Sequence, residues 1–208
     1  MPDETGFVNG ILNFMQSARV QLAYMGGPGQ AAPISLCTPG PVARTLAFPT
    51  GTKFKMRITK DGIAKTIVIE SNTGSMVDNG VRYLPWQPDR CTYTRLDPAA
   101  KLIFTGPLTG CNVYVAGPRD APVLFHTNSN TNADDYDANN NDKQSMALNL
   151  LAANVLGLAN NTGIGGRLER RTYSGNYLGF VFGFKQGGNW VFYFNGIGDG
   201  ITRLSRIF

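Results

Sequence analysis

The sequence predicts a single α+β domain spanning residues 1–208, mostly antiparallel β-sheet in a sandwich-like arrangement flanked by a few helices. Three observations point there. Short runs of β-branched and aromatic residues recur along the chain, punctuated by 25 glycines and 12 prolines. Only two segments carry helical spacing. Finally, 208 residues with 42 % hydrophobic and 16 % charged content are enough for one packed core and short for two.

The first helical segment, Gly6 to Tyr24, places Phe7, Ile11, Phe14, Met15, Ala18 and Leu22 on one face. The Gly/Pro-rich run MGGPGQAAP then stops it. Strands are predicted at TLAF, KFKMRITK, AKTIVIES and VRYLPW. Between the second and third of these, Asp61-Gly62 separates two alternating runs, which is the strongest short hairpin signal in the chain. Further strands are predicted in KLIFTGPLTGCNVYVAG and APVLFHTN. The polar run TNSNTNADDYDANNND reads as an exposed loop, followed by a helix from Ser145 to Ala159 with Asp142 and Ser145 as caps. The strands YLGFVFGF, NWVFYFNG and ITRLSRIF close the chain, joined by Gly-rich turns.

Nineteen basic residues against fourteen acidic ones give a net charge of +5, spread evenly between the two halves. That balance does not point to a nucleic-acid partner. The one local cluster, Arg167 to Arg171 (RLERR), reads as a solvated strand or loop face. No apolar run of about 18 residues is present, so no membrane-spanning helix is expected. The opening MPDETGF shows no signal peptide. Three unevenly spaced cysteines, Cys37, Cys91 and Cys111, do not make a disulfide framework and predict free thiols in a reducing compartment.

Several chemistries drop out. With one histidine there is no two-histidine zinc signature, and no pair of the four Cys/His residues has the short spacing of structural zinc sites. The run from Asp135 lacks the glycine at position six and the glutamate at position twelve of a calcium loop; Asn140 and Met146 stand there. Neither a G-x-S-x-G elbow nor a Walker lysine occurs. No metal and no cofactor is expected.

What remains is Cys111 and His126, in GPLTGCNVYVAGPRDAPVLFHTN. NVYVA and VLFHT are runs of β-formers, and GPRDAP between them is rich in turn residues. A hairpin centred between Pro118 and Arg119 sets Cys111 directly across from His126, on the same face. Opposed residues in such a ladder have Cα atoms roughly 4.5–5.5 Å apart. An imidazolium beside a thiol can lower its pKa from roughly 8.5 and activate it as a nucleophile. Gly110 and Thr109 form the turn before the cysteine, where backbone N–H groups face a developing oxyanion. The alternative is a buried structural cysteine beside a satisfied core histidine.

LTGC followed by a strand-borne histidine resembles the L-S-G-C signature of the bacterial toxin glutamine deamidases, the family of the cytotoxic necrotizing factor catalytic domain and Burkholderia lethal factor. The triplet LPW at Leu84 to Trp86 and the run FTGPLTGC agree with it, and so does the chain's size. The resemblance covers Leu84 to Asn128, with Thr109 in place of the signature's serine. It implies Cys111 as nucleophile, His126 as its base, and the backbone carbonyl of Thr105 as the group that orients the imidazole, leaving the side chain at 105 free to vary. It also implies a bacterial toxin or effector, secreted or injected and active as a monomer in the host cytosol. The reaction converts a glutamine of a host protein to glutamate, in translation-initiation helicase factor 4A or a Rho-type GTPase, with no nucleic-acid or membrane partner. The competing classes are a non-catalytic β-rich binding module, a chemotaxis-receptor-type deamidase and a thiol protease. Cys37 and Cys91 are expected to be structural or incidental thiols.

Overall fold

Alternating apolar runs become strands because every second side chain then reaches a common layer, and fourteen strands form among the described residues. The computed structural model describes residues 4–17, 19–24, 33–61, 64–71, 78–131, 135–159, 162–173, 178–198 and 201–208. In chain order, α1 (Glu4–Ser17) and β1 (Arg19–Tyr24) precede a 3₁₀ turn at Pro33–Leu36, then β2 (Thr38–Pro39), β3 (Thr45–Ala47), β4 (Phe54–Asp61) and β5 (Ala64–Ser71). Next come β6 (Val81–Leu84), β7 (Cys91–Arg95), β8 (Leu102–Thr105), β9 (Asn112–Ala116), β10 (Val123–Thr127) and α2 (Tyr136–Ala152). The chain ends with β11 (Ile164–Leu168), the single turn α3 (Arg170–Tyr173), β12 (Leu178–Gln186), β13 (Asn189–Gly198) and β14 (Ile201–Arg206).

The strands make a six-stranded sheet ordered β11-β9-β10-β7-β3-β2, a five-stranded sheet ordered β14-β13-β12-β8-β6, and a three-stranded sheet ordered β1-β5-β4. Most pairs are antiparallel, as expected, while β1–β5, β3–β7 and β6–β8 run parallel. The α+β class predicted from sequence is the one observed.

The layers follow from the alternation along β9. Tyr114 and Ala116 face α2, where Met146, Ala147 and Leu150 cover them together with Phe125. Cys111, Val113 and Val115 face the opposite way, into the larger core shared with the five-stranded sheet. On that second sheet, Phe194 meets Tyr173 of α3 in a tilted ring contact, centroids 5.2 Å apart, and Tyr173 in turn bonds the Cys111 carbonyl. Asn195, next to Phe194, points away and donates from Nδ2 to the Met15 carbonyl of α1 at 3.3 Å. Glycines set how closely the aromatic layer packs: a Cβ on Gly183 would fall 2.5 Å from the Phe192 ring.

Three expectations need correction. The segment Arg19–Tyr24 is not the end of the first helix but a strand parallel to β5. Val20 and Leu22 alternate as well as they satisfy a helix, and pairing with Leu22↔Ile67 buries them. The second helix begins at Tyr136 rather than Ser145, so seven residues of the supposed loop are helical. Its cap is Asp135, whose side chain accepts from the Ala138 N–H at 2.9 Å. The RLERR cluster is only partly a solvated face, since Leu168 and Glu169 are buried while Arg167 is exposed. The Asp-Gly hairpin is present as β4–β5, closing at the pair Asp61↔Ala64; Gly62 and its neighbour lie outside the described residues. Strand β7, CTYTR, is an element the sequence reading passed over.

Candidate active site

β9 and β10 do form the antiparallel ribbon predicted from their composition, but in a different register. His126 pairs with Val113 and Thr127 with Asn112, so the ladder extends to place Asn128, not His126, across from Cys111. The turn explains the change. The Ala121 N–H closes on the Pro118 carbonyl at 3.2 Å, which centres the connection one residue later than the symmetric hairpin expected. Moving the centre by one residue moves the pairing by two, and a shift of two keeps every side chain on its face. Cys111 and His126 therefore share the face toward the five-stranded sheet but stand diagonal to each other.

Asn128 takes the opposed place. Its Nδ2 donates to Cys111 Sγ at 3.3 Å, and its Oδ1 accepts from the Asp89 N–H at 3.2 Å. Asp89 has the left-handed φ of 56° that such a turn requires. With the carbonyl end occupied by a backbone donor, the amide presents its NH₂ to the sulfur.

Lys143 approaches from the other side. It lies on the α2 face that also carries Asn139, Asn140, Met146, Ala147 and Leu150, all buried. Its Nζ donates to the Gly110 carbonyl at 2.7 Å. Only 2 % of Lys143 is exposed. Around it a polar network ties the helix to the sheet. Asn112 Nδ2 donates to Asn140 Oδ1 at 2.7 Å, and Asn112 Oδ1 accepts from the Arg170 N–H at 3.0 Å. Tyr173 donates its hydroxyl to the Cys111 carbonyl.

Burial raises the pKa of Cys111, offset in part by the Asn128 hydrogen bond, the Lys143 charge and the Thr109 backbone. His126 is fully buried, and desolvation pulls it down from 6.5 to about 3. Both of its ring nitrogens lack a hydrogen-bond partner. At neutral pH the pair is thus a thiol and a neutral imidazole, not an ion pair.

The contacts of Thr105 differ from those the resemblance implies. The Thr105 carbonyl does not orient His126, because neither imidazole nitrogen donates to anything. Nor is the side chain at 105 free to vary. Thr105 Oγ1 accepts the buried Val181 N–H at 3.0 Å, just where the β8–β12 ladder ends at Phe104↔Phe182. Gly110 acts through its carbonyl; a Cβ there would touch only the Arg170 side chain, at 4.0 Å. Thr109 is exposed beside it. The LPW triplet does reach the site: Leu84 pairs with Thr105, and Trp86 packs so closely on Gly106 that a Cβ would fall 2.7 Å from its ring. Cys91 lies on the α2 face, buried, with its pKa raised by burial, and half-buried Cys37 is pushed up to about 11. All three cysteines are free thiols. Among the described residues no cluster of three metal-ligating side chains occurs.

Sequence reasoning missed Asn128, Lys143 and Tyr173 as members of the site. For Asn128 a signal existed, since a two-residue slip of the hairpin names it. The other two come from distant elements. Fold and site together define an α+β sandwich with a thiol and an imidazole on one buried sheet face. No protein-family model matches the chain, and no curated protein matches its sequence.

Proposed function

We propose that the chain is a cysteine-dependent protein-glutamine deamidase, a bacterial effector acting on a host protein. The observation that carries this reading is a fully buried imidazole with both nitrogens unpartnered, on the same sheet face as the Cys111 thiol. Buried polar groups are nearly always satisfied, so an orphaned one calls for a use. The resemblance of LTGC and LPW to the toxin deamidases supplies the substrate class.

In the reaction, the Cys111 thiol gives its proton to neutral His126 as the sulfur attacks the glutamine carboxamide carbon. The tetrahedral oxyanion collapses, the C–N bond breaks, and His126 returns the proton to the leaving amide nitrogen, releasing ammonia. Water then gives a proton to His126 while its oxygen attacks the thioester. The C–S bond breaks, Cys111 is regenerated, and glutamate remains. Asn128 Nδ2, already at the sulfur, donates to the oxyanion. No metal or cofactor enters these steps. If the glutamine is the one that orients water in a Rho-type GTPase, glutamate there would hold the GTP-bound state; the helicase factor 4A is the other target class.

A second reading has its own support. Cys111 is 2 % exposed and His126 not at all, as in a non-catalytic β-rich module with a structural thiol. Incubation with a Rho-type GTPase and with factor 4A, read by intact mass, separates the two. Deamidation adds about 1 Da to one target, and Cys111→Ser lowers the rate at least about 10³-fold. An unshifted mass in both targets, with no selective alkylation of Cys111 over Cys37 and Cys91, favours the module.

A further inference from the structure

If Cys111 is the nucleophile, His126 is poorly placed to hold it ionised. It stands diagonal to the sulfur, and its nitrogens reach no partner. Lys143 is placed differently. An ammonium removed from water is costly unless an anion or several acceptors compensate it. One N–H of Lys143 goes to the Gly110 carbonyl, the residue before the cysteine. Its sequence neighbour Asp142 is already engaged by Arg44, through two hydrogen bonds of 2.9 Å, and by Ser129. With Asp142 so engaged, the Cys111 sulfur, once ionised, is an anion whose charge favours the Lys143 ammonium, held at the carbonyl of the preceding residue.

We propose that Lys143 is the positioning residue that stabilises the Cys111 thiolate, with Asn128 as hydrogen-bond donor to the sulfur, leaving His126 to transfer protons during turnover. This deepens the deamidase reading and rests on it for the role of Cys111. In the free chain this ionisation is a plain proton loss, with the proton leaving to water and the S–H electron pair staying on sulfur; during turnover that proton passes to His126 instead, and the ammonium stabilises the charge that develops on sulfur. Other groups facing this place act in known senses. Arg170, from α3, adds positive charge near Lys143. Asp142, from α2, adds negative charge on the same side. The Tyr173 phenol is committed to the Cys111 carbonyl, and Tyr114 accepts from Asn112. His126, from β10, is neutral.

The test is the rate of iodoacetamide alkylation of Cys111 in the full chain, followed by peptide mapping between about pH 6 and pH 10. Lys143→Gln keeps a donor for the Gly110 carbonyl without the charge. It should raise the midpoint of the profile by about one pH unit, a roughly 10-fold slower reaction at neutral pH. Asn128→Ala, at a half-buried position, should raise it less, and Lys143→Arg should restore it. His126→Phe should leave it in place. If Lys143→Gln does not fold by circular dichroism, His126→Phe and Asn128→Ala decide: a raised midpoint in the first, or none in the second, overturns the proposal. An unmoved midpoint in folded Lys143→Gln also overturns it. Failure to alkylate Cys111 selectively in the unaltered chain overturns instead the nucleophile reading beneath it.

Discussion

His126 illustrates how one residue can shape stability and chemistry together. Its folded pKa of about 3 lies below the ordinary 6.5 because burial penalises the imidazolium. The unfolded chain therefore binds a proton that the folded chain refuses throughout the window between those values. Stability is full above about pH 6.5 and falls as pH drops through the window, by roughly 1.4 kcal/mol per pH unit. Between about pH 7 and pH 5, urea midpoints should fall by an amount equivalent to roughly 2 kcal/mol. His126→Phe, similar in bulk and unable to titrate, should flatten that slope. Asp78, held by Arg82 down to about 2, does not mimic the effect in this range.

Among the elements, α2 has the largest part in the site. Its buried stripe starts polar, with Asn139, Asn140 and Lys143, and turns apolar at Met146, Ala147 and Leu150. The polar end docks where β9 and β10 leave the sheet, and the apolar end docks on Tyr114 and Phe125. That is why a hydrophobic period placed only its second half in a helix. A stripe read as loop residues is helical because sheet-borne and loop-borne groups receive its amides; Asn139 Nδ2, for example, donates to the carbonyls of Ser129 and Thr131 at 2.9 and 2.7 Å. Asp135→Ala removes the cap, and denaturant melts should show a loss of about 1 kcal/mol. Because Asp135 is exposed and touches no member of the site, the Cys111 alkylation profile should stay where it is.

At the scale of the whole molecule, flat aromatic rings of the five-stranded sheet lie against glycines of that same sheet. Phe192 lies over Gly183, and Phe194 lies over Gly179 and Gly196. A methyl at Gly183 would fall 2.5 Å from the ring of Phe192, its cross-strand partner, and force that ring to shift. Gly183→Ala should cost about 1–3 kcal/mol in thermal or urea unfolding, the usual penalty for overpacking. Thr105, His126 and Cys111 are buried as well, Thr105 on β8, the strand next to β12.

By itself the sequence determined most strands, the β4–β5 and β9–β10 hairpins, and the shared face of Cys111 and His126. These depend on local alternation and turn residues, and face is unchanged by an even slip in register. The register itself, the strand at Arg19–Tyr24 and the first half of α2 were decided by tertiary structure. So were the groups around Cys111: Asn128 faces the thiol through a turn closed between Pro118 and Ala121, while Lys143 from α2 reaches the Gly110 carbonyl and Tyr173 from α3 the Cys111 carbonyl. Periodicity reports which side of its own element a residue occupies. It carries no information on which distant element will be docked there, because that choice is made by packing across the whole core.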